Sequence, residues 1–546
     1  MKRIKNYSSL LLLTLLSTSA FALQCPDKSN TPYCPSSGST LLDETYPTQA
    51  FVISNQPMLA SKEARAVTQK FVSKVISNYD YKNVPQIILP MTKKSDYDEL
   101  VANIKNSLVQ KKIPADEVEK IIGQITMGPA QSYTWQQDWF ESFVDLKTGS
   151  PVVRQIESYY VRVPAGSGEV LASSGNKCSI TNGETIKSAY SDNPYASMAD
   201  IRKNENSFGS GEMGGNIEGA PGGFCLAGDN QGKSFTKQFC GDEKNVITLQ
   251  TSWLSVGHVD ELFKIMPTHY NDGRPKECEF SLMAASPKKA LSLMSTPGTG
   301  NIPFYDIDDK NPEIDLKATK QMRSKYTYAG NSHICTYMQS VMSKRPNLQS
   351  QPTAVKSVFL KLFFSDAVAQ DNQTTNYTYQ QLLDNCENNI DQVSNYEMQE
   401  VMKQDKDFMD LQIAIDQSIE ADKASIKEKI LSRLPQCAKY YNEIDVPDLF
   451  YGAKVITNAD GKLELKKPGT VDSFLPNPTN SVLMNKTLTF SDSGNKLFNN
   501  YMTEELSKRK MKADFISTWD YAHIGHGNIH CSSHSIPYCK PQRPSR

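Results

Sequence analysis

Apolar residues recur along the chain with two periods. Leu100, Ile104 and Leu108 fall on one face at helical spacing, with Ser95 placed to cap the start of that helix. Pro114 opens a second helical pattern carrying Val118, Ile121 and Ile122, and Ala64 to Ile76 is amphipathic. Phe408, Leu411, Ile415 and Ile419 form a stripe that reads as core packing. Shorter apolar runs read as strands: Val84 to Leu89, and Thr248 to Val256, which leads into Gly257-His-Val-Asp260. Strands alternating with helices predict an α/β architecture. No internal repeat stands out.

Between these elements the pattern breaks in three places. Residues 166–232 are rich in Gly, Ser and Asn, which predicts long surface loops around a short core strand. Residues 310–400 are polar and mostly helical in pattern and read as an insertion, with a Gln/Asn-rich part at 370–388 that reads as solvated helix or loop. Residues 23–60 carry Ser, Thr and Pro with little periodicity. At the N-terminus, Lys2, Arg3 and Lys5 precede the apolar run Leu10 to Leu16, and Ala20-Phe-Ala22 follows. This is the pattern of a secretory signal peptide cut after Ala22. The apolar run is too short for a permanent membrane anchor. The expected division is a signal peptide at 1–22, a leader at 23–75 and the main domain at 76–546, in a secreted or periplasmic protein.

With 546 residues the chain has ample core, and its formal net charge of -1 removes any global electrostatic case for nucleic acid or acidic membranes. Export makes the 11 cysteines informative, because an oxidising compartment permits disulfides and an odd count leaves one thiol over. Cys25 with Cys34 and Cys225 with Cys240 are plausible local pairs. The expected free thiol is Cys531, which lies in Tyr521 to His534 among four of the seven histidines.

A thiol beside imidazole is either a nucleophile or a soft metal ligand. Two further stretches bear on the choice: Trp135-Gln-Gln-Asp-Trp-Phe-Glu141 and Trp253-Leu-Ser-Val-Gly-His-Val-Asp-Glu261. Together they add Asp138, His258 and Asp260. Two carboxylates can clamp a planar guanidinium while a thiolate adds to its carbon, and a histidine can protonate departing ammonia and then activate water. That set suits conversion of an arginine-like group to a citrulline-like one. The rival is a secreted zinc-binding protein with ligands among His523, His526, His530, Cys531 and His534, which leaves the stretches at 135 and 253 unexplained. An amidine transferase would need an amine acceptor site, for which no pattern is visible.

Trp253 to Glu261 resembles the signature of the protein-arginine deiminases, members of the pentein superfamily. Trp135-x-Gln-Asp138, Gly215-Asn-Ile-Glu218, Met283-Ala-Ala-Ser-Pro287, Ile444 to Phe450 and His530-Cys531 are similar to further motifs of that family, in the same order. The resemblance implies a five-fold pseudosymmetric αβ propeller with the site in its central channel and a largely helical insertion at about 310–400. It implies Cys531 as nucleophile, His258 as general acid/base and Asp138 and Asp260 as guanidinium clamps, with Trp135 at the substrate. It also implies Ca2+ held by Gln137, Glu141 and Glu218, helped by loop carbonyls near Gly214 and Ile217; oxygen donors are what calcium takes. A second calcium site of the family needs an acid where this chain has Trp139. The expected partner is an arginine-containing protein or peptide. The family's basic substrate-backbone motif is absent after Pro151-Val-Val153, and Gly525 replaces a substrate-contacting arginine, so free arginine or agmatine is the alternative substrate.

Overall fold

In a computed structural model of the chain, residues 32–34, 41–55, 62–91, 93–128, 134–138, 140–144, 151–155, 172–173, 180–181, 213–270, 272–295, 302–305, 334–350, 378–388, 393–452, 455–519 and 521–540 are described. The first sheet begins with β1 (Thr48–Ile53), buried except at Thr48.

 The helix α1 (Lys62–Asn78) then crosses to β2 (Gln86–Pro90), which runs parallel to β1. A parallel return needs such a crossover. Helices α2 (Lys94–Gln110) and α3 (Ala115–Gly123) lead to β3 (Ile125–Gly128), parallel to β2. As the periodicity predicts, α2 buries Leu100, Ile104 and Leu108, and α3 buries Val118 and Ile121 behind Pro114 at its N-cap. Ser95 is not the cap: α2 starts one residue earlier, behind Lys93 and without a side-chain cap.

After an antiparallel pair, β4 (Phe140–Val144) and β5 (Pro151–Gln155), the plan of the first sheet returns. β6 (Ile217–Ala220) is antiparallel to β7 (Phe224–Gly228), and α4 (Lys233–Cys240) crosses to β8 (Val246–Leu249), parallel to β7. Next, β9 (Phe263–Pro267) is antiparallel to β10 (Phe280–Ser286). Its crossover begins with α5 (Pro287–Met294) and continues through α6 (Ile334–Lys344), α7 (Tyr379–Asn388), α8 (Asn395–Gln404) and α9 (Lys406–Arg433) to β11 (Glu443–Pro447), parallel to β10. A short pair, β12 (Phe450–Tyr451) with β13 (Asp472–Ser473), precedes the next unit. There β14 (Val482–Met484) is antiparallel to β15 (Thr487–Ser491), and α10 (Lys496–Lys508) crosses to β16 (Lys512–Ile516), parallel to β15. The last strand, β17 (Ser533–Pro537), is antiparallel to β1 and gives the first sheet the same plan. The sequence hides this repeat, because the units share hydrogen-bond topology and not an apolar pattern.

The region expected to be an insertion contains α6, α7 and α8 among its described residues. Cys335–Cys386 joins α6 to α7, and their inner faces share a core with Met398 and Met402 of α8. Phe408, Leu411, Ile415 and Ile419 on α9 are buried, as the stripe predicts. The expected strand Thr248 to Val256 ends early, at Leu249. The Asp229 carboxylate accepts from the backbone N–H groups of Thr251 (3.0 Å) and Ser252 (2.8 Å), which turns the chain out of the ladder.

Cys225–Cys240 forms as expected, whereas Cys34 bonds Cys539 and not Cys25. The cause is the fold: the main chain around Cys34 pairs with that around Lys540, which brings the two ends of the described chain together. Cys278–Cys437 is a further bond, and Cys531 is free and buried. The stretch expected as a leader enters the core, since β1 lies between β2 and β17. Residues 1–22, Cys25 and Trp139 lie outside the described residues. Among the described residues no helix is long and apolar enough to cross a membrane.

Candidate active site

Four segments meet where the three motifs converge. Gly257, at φ +84°, turns the chain after Val256, and a single 3-10 turn, Val259–Glu261, places His258 and Asp260 ahead of β9. Glu261 locks this turn by accepting from the His258 backbone N–H at 3.0 Å. Asp138 comes from the turn before β4, and Cys531 from the turn before β17. All four expected catalytic side chains are buried. His258 Nδ1 lies 3.8 Å from Asp138 Oδ1, and Cys531 Sγ lies 3.6 Å from Asp260 Oδ2. Gly215 passes against this group: a Cβ there would come within 2.6 Å of His258 Nδ1 and 3.3 Å of Asp260 Oδ2. Trp135, half-buried, covers Gly527 of the cysteine segment, where a Cβ would stand 2.4 Å from its ring.

Sequence reasoning missed Asn480, Glu44 and Lys264, which with His530 complete the site. Asn480 donates through Nδ2 to Asp260 Oδ2 (2.8 Å) and to Cys531 Sγ (3.1 Å). His530, expected only as a neighbour of the cysteine, faces Asp260 Oδ2 with Nδ1 (2.8 Å) and Glu44 Oε1 with Nε2 (3.1 Å). Lys264 Nζ holds the other Glu44 oxygen at 2.7 Å. Glu44 lies in the aperiodic stretch before β1, and Asn480 in an Asn-Pro-Thr-Asn turn; neither position advertises chemistry.

These contacts set the charges. Burial pushes the Cys531 thiol well up, and the Asp260 charge adds to it, so the sulfur keeps its proton. Burial opposes a charged His530, but its bonds to Asp260 and Glu44 outweigh that and raise it to about 9. Burial alone would raise Glu44, yet Lys264 and His530 bring it down to about 2.

The residues expected to hold calcium fit a cation. Gln137 Oε1, Glu141 Oε1 and Glu218 Oε1 are buried with no hydrogen-bond partner among the described residues. Burial, then the Glu218 charge, pushes Glu141 well up, and burial takes Glu218 to about 7. Gly214 makes the approach possible, since a Cβ there would stand 2.0 Å from the Gln137 carbonyl oxygen and 2.5 Å from Glu141 Oε1. Such buried, unsatisfied oxygens are costly without a cation. Glu218, Asp260 and His530 also come within 4.8 Å of one another, but both His530 ring nitrogens already face carboxylates.

The zinc reading does not survive the geometry. His523 packs on Trp519 at 4.8 Å between ring centroids, and His526 Nδ1 pairs with Asp472 at 2.9 Å. His534 Nε2 bonds Ser142 at 2.9 Å, so the histidines point to separate partners.

The family model for protein-arginine deiminase (PAD) matches residues 228–537, more than half of the chain. No curated protein matches it. Among solved structures, the C. jejuni agmatine deiminase overlays with TM-score 0.36 at 11% identity, covering 92% of this chain and 96% of that one. The agmatine deiminase of Enterococcus faecalis overlays with TM-score 0.33 at 11% identity, covering 94% of this chain and 98% of that one. The matched residues carry His258, Asp260, Asn480 and Cys531, and the chain belongs to the protein-arginine deiminase family, hydrolases of guanidinium C–N bonds.

Proposed function

We propose that the protein is an exported deiminase that hydrolyses peptidyl arginine to citrulline and ammonia. The observation that carries this is the meeting of one free thiol with two buried carboxylates and a histidine. Asp138 and Asp260 bind the guanidinium, and its positive charge offsets the carboxylates that hold Cys531 protonated. With the sulfur proton passed to His258, the thiolate adds to the guanidinium carbon and a C–S bond forms. The imidazolium returns that proton to the leaving nitrogen; the C–N bond breaks and ammonia departs, leaving a thiouronium. His258 then takes a proton from water, the hydroxide adds to the same carbon, and the C–S bond breaks to release citrulline and thiolate.

Gln137, Glu141 and Glu218 would hold Ca2+, with the Gly214 and Ile217 carbonyls alongside. When bound, the ion neutralises the carboxylates and fixes the segment that carries Asp138. Family membership and the repeated sheet plan support the five-fold propeller, with about 310–400 as its insertion. The disulfides support an oxidising compartment, periplasmic or extracellular, and with it cleavage of residues 1–22.

Gly525, in place of an arginine that contacts substrate in the family, favours the second reading, a deiminase of free arginine or agmatine. The test is citrulline or ureido product formed from an arginine peptide, free arginine and agmatine. Turnover of the peptide is expected, and Cys531→Ala should bring it to background. Turnover of only the free molecules would sink the peptidyl reading, and product formed by Cys531→Ala would remove the nucleophile.

A further inference from the structure

We propose that Asn480 is a catalytic residue whose amide donates to the attacking sulfur; this rests on the reading of Cys531 as the nucleophile. Asn480 is 1% exposed, and all of its side-chain hydrogen-bonding capacity is directed at the site. Its Oδ1 accepts from the backbone N–H groups of His530 (3.0 Å) and Cys531 (3.3 Å). Two main-chain donors fix which end of the amide is oxygen. The Nδ2 end therefore faces Cys531 Sγ and Asp260 Oδ2, with one N–H for each. A carboxylate or hydroxyl could satisfy the two backbone donors as well as an amide does. Only the amide also supplies two donors to two reacting side chains.

The turn is held rigidly in place. Asn477 donates through Nδ2 to the Glu261 carbonyl at 2.6 Å, and its own backbone N–H is held by Asn528 Oδ1 at 3.2 Å. The turn thus spans the His258–Asp260 segment and the cysteine segment. In the resting thiol the sulfur donates to Asp260. Once the proton has left, the sulfur becomes an acceptor, and the Asn480 N–H already points at it without rearrangement.

The test is Asn480→Asp, which keeps the shape and the Oδ1 anchor. A proton shared between the new carboxyl and Asp260 serves that pair and leaves the sulfur without a donor. The readout is the rate of Cys531 alkylation by iodoacetamide at one fixed pH, located by peptide mapping, together with kcat. Loss of a hydrogen bond to a charged group predicts a fall of about ten- to a hundredfold in both. Alkylation at the wild-type rate overturns the proposal. Should Asn480→Asp lack a cooperative melt, Asn480→Ala is read in the same way; if neither folds, the amide is a structural pin and the proposal is overturned. Slowed alkylation in a protein whose wild type makes no ureido product would overturn the deiminase reading and leave the assignment of Asn480 standing.

Discussion

His534 shows how a single buried residue ties stability to pH. It is 3% exposed, and burial, then the positive charge of His530, hold its imidazole neutral down to about 3, against 6.5 for the free ring. Below pH 6.5 the unfolded chain binds a proton that the folded chain refuses, so stability falls as pH falls from 6.5 toward 3. His534→Gln should flatten the loss of melting temperature between about pH 6.5 and 5, above the range where most carboxylates titrate. An unchanged slope would show that another group governs that window. At this scale the sequence was readable wherever a short contiguous motif carries the chemistry, as at Gln137-Asp138, His258-Val-Asp260 and His530-Cys531. It was opaque at Glu44, which reaches His530 from 486 residues away, because only strand pairing brings the two together.

Among the elements, the turn leading into β6 is tightly constrained. Gly214 leaves no room for a methyl group between the Gln137 carbonyl and Glu141 Oε1. Gly214→Ala should cost about 1–3 kcal/mol in chemical denaturation and abolish turnover, since backbone and carboxylate must both move. Full activity in that variant would mean that the loop is not part of the working site. Helices α2, α3 and α9 could be read from their apolar faces. The end of β8 could not, because Asp229, a side chain from the turn after β7, captures the backbone there. The repeated sheet plan was hidden for a similar reason: among the described residues five helices lie in the crossover between Ser286 and Glu443 in one unit, and one helix serves in another.

For the molecule as a whole, the unsatisfied oxygens of Gln137, Glu141 and Glu218 make a metal-dependent stability the expected behaviour. Calcium at a hundred times its Kd should add about 2.7 kcal/mol, read as a rise in melting temperature. Glu141→Gln should shrink that rise, and strong chelation should remove activity; a melting temperature indifferent to calcium would count against the site.

The placement of β1 between β2 and β17 has a consequence for how the enzyme comes into being. Its last strand follows the nucleophile by two residues, and the strand it needs was made near the start of synthesis. A growing chain therefore holds an open β1 edge and no complete site until its final segment docks. Chains cut short before Ser533 should lack turnover and scatter more light than the full chain, because the open β1 edge can pair with another copy. Activity is delayed until the last strand has been made and has docked on β1.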